Sequence, residues 1–348
     1  MKILFHFLGC RLHFLFQVRS ASRLSTSPNA APLLPMTSMS TLQLAISPLT
    51  WSNDDMPALG GEIPLETCLA EMRQAGFTGT ELGAKYPREP QVLLPLLHAH
   101  GLKLASGWCS GHLMHNDVET EWRAIAPHVA LLQAAGVKAM VYGEVSNTVH
   151  GNIDAPLSTR VELTSDQLQR YGGRLTQLAE RLLQQEGIRL AFHHHVGTIV
   201  ETPADILNLL ACTGDAVCLT FDTGHASFGG ADPVALLQQC VSRVAHVHLK
   251  DVRPPVLRAA RAQDRSFLGS VLDGAFTVPG DGTVDFAAVL ACLHECGYSG
   301  WAVVEAEQDP AKAHPLTYAR MAHEHVAQQL TATGYTVDGG VWHGRAAS

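Results

Sequence analysis

The sequence predicts an α/β fold whose parallel strands close as a single-domain (β/α)8 barrel. Two observations predict it. From residue 41, short apolar runs of strand length alternate eight times with stretches of helical period. Polar and titratable residues gather where those runs end, and nothing comparable marks their starts. In a barrel of this kind the chemistry sits at the C-terminal rim. A doubly wound sheet would want a glycine-rich phosphate turn after an early strand, whereas the first run leads into SPLTWSND.

The predicted strands are 42–47, 77–82, 102–108, 137–143, 188–193, 217–222, 244–249 and 301–305, most of them carrying β-branched or aromatic residues. Helical patterns fill 64–75, 89–100, 119–135, 165–186, 203–212, 232–242, 284–296 and 312–332. Several strands follow a glycine just past a helix end, as in AGF (75–77), HGL (100–102), AGV (135–137) and EGI (186–188). HPLTY (314–318) reads as an ordinary helix start. The barrel is expected over 41–335, with 336–348 as a C-terminal tail.

Residues 1–40 are a different kind of sequence. They carry Lys2, Arg11, Arg19 and Arg23, and no acid precedes Asp54. His6, Arg11 and His13 interrupt the apolar core that a secretory signal or a membrane span needs. An organellar transit peptide and an over-extended start ahead of Met36 or Met39 both fit, and either excludes 1–40 from the fold. The whole chain of 348 residues has a net charge of −8, so the part after the leader stands at −12. That balance disfavours a nucleic-acid partner, whose footprint is basic. Cysteines 10, 68, 109, 212, 218, 240, 292 and 296 form no CxxC pair. Reduced thiols in a cytoplasmic protein are expected.

Nineteen histidines are many for this length, and six of them (His193, His194, His195, His225, His246, His248) fall at three strand exits. Together with Asp222 and Glu305 they suit a divalent cation of the Zn, Mn, Co or Fe type over calcium. Strand side chains alternate, so His193 shares a face with His195, and His246 with His248. Only one of each pair can lie at the right height. In DTGH (222–225), Asp222 suits a ligand and His225 a substrate contact, unless Asp222 caps the following helix. Lys250 shares the His248 face, where a lowered pKa would let it transfer protons. Trp51 and Trp108 offer flat faces to a ring-shaped substrate. Glu81 and Lys85, in GTELGAKYP, are further candidates for substrate binding. The long segment 251–281 reads as a lid, with Arg253 nearest the strand exit.

These segments resemble a known family. SPLTWSND (47–54), GTELGAKYP (79–87), ASGWCSG (105–111), LAFHHHVGT (190–198), FDTGH (221–225), HVHLKDVR (246–253), FTVPGDG (276–282) and EAEQDP (305–310) occur in order along the xylose isomerase-like TIM barrels. Within that superfamily the match is to the inosose dehydratases. The resemblance implies a metal held by Glu, Asp, His and Glu from four strand exits, carried here onto His193, Asp222, His248 and Glu305. The first position departs, with His193 where a glutamate is expected; His195 and Glu144 are the alternatives. It implies cobalt or manganese, an association with glutathione, and a polyol ketone, 2-keto-myo-inositol, as substrate in inositol catabolism. It leaves open whether the chain forms a homo-oligomer.

In the implied reaction Glu305 removes a proton, and His193 delivers one to the departing hydroxide. His193→Glu is then expected to cut dehydration and spare metal content. A ketose isomerase or epimerase on the same barrel is the nearest rival. An abasic-site nuclease would need three zincs and a basic groove, and a non-catalytic sugar binder would not need Lys250 beside a metal quartet.

Overall fold

Residues 40–344 are described by a computed structural model. The leader expected over 1–40 lies, Ser40 apart, outside them. In chain order the first half comprises β1 (Thr41–Ile46), α1 (Leu65–Gln74), β2 (Gly79–Leu82), α2 (Pro90–Ala99), β3 (Lys103–Gly111), α3 (Val118–Ala134), β4 (Ala139–Glu144) and α4 (Ser165–Glu186). Next come β5 (Arg189–His193), α5 (Pro203–Ala211), β6 (Val217–Asp222), α6 (Thr223–Phe228), α7 (Pro233–Cys240) and β7 (Val244–Leu249). The chain ends with β8 (Asp251–Val252), α8 (Pro254–Ala262), α9 (Phe267–Leu272), β9 (Phe276–Thr277), α10 (Phe286–Glu295), β10 (Gly300–Val304), α11 (Pro315–Ala332), β11 (Tyr335–Asp338) and β12 (Val341–Gly344).

The strands β1 to β7 pair in sequence, all parallel, and β10 joins β7 to β1 and closes the barrel. These are the eight predicted strands, and each predicted helix is present. Barrel strands are buried on both faces, which is why they read as near-continuous apolar runs. The helices start and stop where local chemistry dictates. Thr164 and Gln167 form a capping box on α4, and Gly187 closes that helix in the left-handed conformation. Along α4, Tyr171, Leu175, Leu178 and Leu182 are buried in one stripe against the barrel. Each such side chain contributes about 1.5–3 kcal/mol by leaving water.

Two expectations about the fold are corrected. The segment 251–281 is no unstructured lid. It folds as the two-stranded pair β8–β9 enclosing α8 and α9, around its own apolar cluster of Val196, Phe228, Leu257, Phe267 and Phe276. Its sequence hid this because the helices are short and rich in arginine. Nor is 336–344 a tail. It forms the β11–β12 hairpin, and β12 lies antiparallel on β1, setting Trp342 opposite Leu42. Gly339 and Gly340, both with positive φ, make its turn.

Because Trp342 is buried in the main core, Trp342→Ala should cost about 3 kcal/mol in urea unfolding. A loss below about 0.5 kcal/mol, the range of an ordinary surface change, would show that the hairpin is an ornament.

Candidate active site

Four side chains converge at the C-terminal rim. His193 and Asp222 end β5 and β6, His248 is the penultimate residue of β7, and Glu305 follows β10 directly. His193 Nε2 lies 3.2 Å from His248 Nδ1 and 3.7 Å from Asp222 Oδ2. His248 Nδ1 lies 3.5 Å from Asp222 Oδ2 and 3.3 Å from Glu305 Oε2. Four ligands about 2.1 Å from a tetrahedral ion sit roughly 3.4 Å apart, so two imidazoles and two carboxylates at this spacing fit a divalent transition metal. A buried orphan supports the fit. Asp222 Oδ1 accepts the His225 N–H at 2.8 Å and caps α6, while Asp222 Oδ2 is buried without a hydrogen-bond partner. Both readings of Asp222 therefore hold, one on each oxygen.

Neighbouring groups aim these side chains. Glu81, on β2, receives His246 Nε2 at 2.8 Å and His248 Nε2 at 3.2 Å. With Nε2 turned to Glu81, His248 presents Nδ1 to the cluster, a carboxylate–histidine arrangement that fixes a ligand's tautomer. Burial alone would raise the Glu81 carboxyl, but the His248 charge and the two imidazole hydrogen bonds hold it well below the usual range. Burial opposes charge on His248 too, and is outweighed by Glu305 and Glu81, which push its pKa well up. A site that draws a proton this strongly also draws a cation. His194 points the other way, and its Nε2 accepts the Asp222 N–H at 3.2 Å.

Lys250 is fully buried. Its Nζ lies 2.5 Å from Glu305 Oε1, 2.8 Å from Glu307 Oε1, 3.6 Å from Asp222 Oδ2 and 2.9 Å from His225 Nε2, above the Phe276 ring. Gly224 leaves the space its stem runs through, since any side chain there would meet Lys250 Cγ. Sequence reasoning expected a lowered pKa. Burial does press that way, but Asp222, Glu305 and Glu307 outweigh it and raise the pKa, so Lys250 stays charged. Its ammonium ties the Glu305 and Glu307 carboxylates together. Glu307, unassigned from the sequence, keeps Oε2 buried and unpartnered beside the cavity.

The cavity in front of the cluster measures about 130 Å3 and suits a small molecule. His193, His195, His248, Glu305, Glu81 and Trp108 line it. So do Asp54, Asp55, His150 and Glu307, to which sequence reasoning assigned no role, although Glu307 stands at the β10 exit. Five expected residues do other work. Trp51 is buried, and its indole N–H donates to Glu71 on α1 at 2.6 Å. Lys85 holds the carbonyls of Gly60 and Ile63. Arg253 binds the carbonyls of Gly274 and Phe276 and the Asp281 carboxylate, tying down the β8–β9 insertion. His225 is sealed behind Lys250 under Phe267 and Phe276. Glu144 accepts the backbone N–H groups of Ser146 and Met114, so it does not supply the missing carboxylate. His195 belongs to a second group with His225 and Glu307. His193 presents Nε2 to the ligand cluster and keeps Nδ1 buried without a partner.

Residues 60–329 match the sequence model of the xylose isomerase-like TIM barrel. The chain belongs to that family. Among curated relatives, the rhizopine catabolism protein MocC of Rhizobium meliloti is 53% identical over 86% of this chain and 91% of its own. Inosose dehydratase 2 of Bacillus cereus (strain ZK / E33L) is 42% identical over 83% of this chain and 97% of its own. The inosose dehydratase of Erwinia tasmaniensis is 41% identical over 82% and 97%. Among solved structures, the IolI protein with a bound zinc atom superposes with a TM-score of 0.58 at 17% identity, covering 84% of this chain and 97% of that one. An L-ribulose 3-epimerase gives 0.57 at 17%, covering 84% and 95%. These two likenesses speak to the fold.

Two predictions follow from the geometry. Glu81→Gln should weaken metal affinity 10–100-fold in titration calorimetry, because it unties the His248 tautomer. Unchanged affinity would remove Glu81 from the ligand's support. The second concerns pH. Burial pushes His194 down to about 3 and also lowers His195 and His225. The unfolded chain, with histidines near 6.5, binds more protons than the folded one between these values. Stability should therefore fall as pH drops below about 6.5, by at least about 1–2 kcal/mol between pH 7 and pH 5 in the metal-free protein. A denaturation midpoint that does not move over that interval would contradict neutral burial of these rings.

Proposed function

We propose that this protein is a metal-dependent hydro-lyase that converts 2-keto-myo-inositol (scyllo-inosose) to 3D-trihydroxycyclohexane-1,2-dione and water in the cytoplasmic breakdown of inositol. The observation that carries this reading is the four-ligand cluster at the floor of a small-molecule cavity. It lies in a chain about two-fifths identical to inosose dehydratases along nearly their whole length.

His193, Asp222, His248 and Glu305 would hold the ion, with Co2+ or Mn2+ as our assignment. When bound there, a divalent cation supplies a Lewis acid for a ketone oxygen. The residues do the rest. Glu305 lies between the ligand cluster and Lys250, and takes the proton α to the ketone. Lys250 keeps its charge and, still paired with Glu307, holds the two carboxylates in place as Glu305 becomes neutral. Trp108, edge-on to His193 and His195, covers one face of a ring-shaped substrate. The β8–β9 insertion shuts water away from Lys250 and His225, which strengthens every charge interaction in the site.

The test is direct. Protein stripped with chelator and reloaded with Co2+ or Mn2+, with and without glutathione, is given scyllo-inosose and followed by dione absorbance. Dehydration should fall by about 100-fold or more without metal. Turnover of a ketose without loss of water would favour the isomerase or epimerase reading. Full activity in metal-free protein would overturn the proposed role of the cluster.

A further inference from the structure

Elimination needs two proton movers, a base for the α carbon and an acid for the hydroxyl on the next carbon. With the ketone oxygen and the α carbon set against the ligand cluster and Glu305, that hydroxyl lies one carbon farther out. The acid must therefore stand on the cavity wall and outside the cluster. Each of the other carboxylates on the wall has at least one oxygen engaged. Asp54 accepts the Ala84 N–H at 3.0 Å. Glu81 is held by two imidazoles, and Glu307 by Lys250. His195 Nδ1 is engaged by the Val196 carbonyl at 2.7 Å, and burial lowers the pKa of His150. Among the described residues, Asp55 remains, on the cavity wall with no hydrogen-bond or ion-pair partner for its carboxylate.

Asp55 is held in place by its loop. Asn53 Oδ1 accepts the N–H groups of Asp55 and Met56 at 2.9 and 2.8 Å, and the Asn53 N–H reaches the Leu59 carbonyl at 3.1 Å. Lys85 Nζ binds the carbonyls of Gly60 and Ile63 at 2.7 and 2.6 Å. Trp51 anchors the loop's root through Glu71. Trp51 and Lys85, expected to touch substrate, instead build the turn that presents Asp55.

We propose that Asp55 is the general acid that protonates the departing hydroxyl. The proposal rests on the dehydratase reading above. The α C–H bond breaks and its proton passes to Glu305, while the electron pair forms the new carbon–carbon double bond. The β C–O bond breaks, and the hydroxide leaves as water with the Asp55 proton. The product of this step is an enol, which loses its O–H proton and gains one at the former β carbon to become the dione. Glu305 gives its proton to solvent and Asp55 regains one, so one inosose yields one dione and one water. The surroundings suit this work. Asp55 is exposed at the cavity mouth, yet desolvation there, followed by the charges of Glu307, Asp54 and Glu305 against that of Lys250, brings its carboxyl up to about 6. That leaves a fraction protonated near neutral pH.

The experiment separates the two proton transfers. Holoenzyme in D2O is given scyllo-inosose, and solvent deuterium entering the α carbon is measured beside dione formation. In Asp55→Asn and Asp55→Ser, deuterium exchange should persist within about tenfold of wild type, while dione formation falls at least about 100-fold. Metal content should be unchanged, and Asp55→Glu should restore part of the rate. If either variant eliminates water within a few-fold of wild type, Asp55 is not the acid. If both lose exchange as well, with metal bound and fold intact, Asp55 acts at proton abstraction and the proposal fails. If wild-type holoenzyme neither exchanges nor dehydrates, the dehydratase reading itself fails.

Discussion

The upper end of the barrel depends on one buried ammonium. Lys250 has no exposure to solvent and lies within 3.6 Å of Asp222, Glu305 and Glu307. Three carboxylates cannot stay ionised in a dry interior without counter-charge. One ammonium answers one of them and leaves two negative charges, which a divalent cation would balance. The unpartnered Asp222 Oδ2 and the elevated pKa of His248 express the same deficit. The cluster thus carries a charge deficit of the kind the proposed metal would complete. Salt-bridge arithmetic alone would make this arrangement a liability for stability, because a buried charge missing its partner is expensive.

The fold supplies the geometry that this balance needs. Each barrel strand ends at a fixed height, so residues far apart in sequence arrive within a few ångströms of one another. Asp222 spends one oxygen on the first turn of α6 and aims the other at the cluster. Glu81 crosses the barrel to set the ring of His248. The β8–β9 insertion then roofs Lys250 with Phe276 and His225 with Phe267. Asp251 locks its closing turn by accepting the N–H groups of Gly280, Gly282, Thr283 and Val284. An acidic knot thus ends one edge of the insertion, and Arg253 the other.

Much of this was legible from residues alone, and the rest fails for identifiable reasons. Strand positions could be read because doubly buried strands are apolar throughout and glycines punctuate the helix ends. Alternation placed His193 with His195 and His246 with His248, but it gives a side and not a height. Height is what put His193 in the cluster and left His246 below it as support for Glu81. Trp51, Lys85, Arg253 and His225 sit in the right segments for substrate contact, yet each has a nearer partner that no linear pattern reveals. Asp55 and His150 lie on loops whose course depends on distant anchors, Lys85 for one and the Gly197 carbonyl for the other. The hairpin at 335–344 was missed because four-residue strands carry almost no periodic signal.

The claim underlying all of this is that one divalent ion completes the charge of the cluster at four named atoms. Crystals of protein reloaded with cobalt, measured on both sides of the cobalt absorption edge, address it directly. The account predicts one anomalous peak bonded to His193 Nε2, Asp222 Oδ2, His248 Nδ1 and Glu305 Oε2. A peak seated on His195, His225 and Glu307, or full cobalt loading with no peak at the cluster, would contradict it.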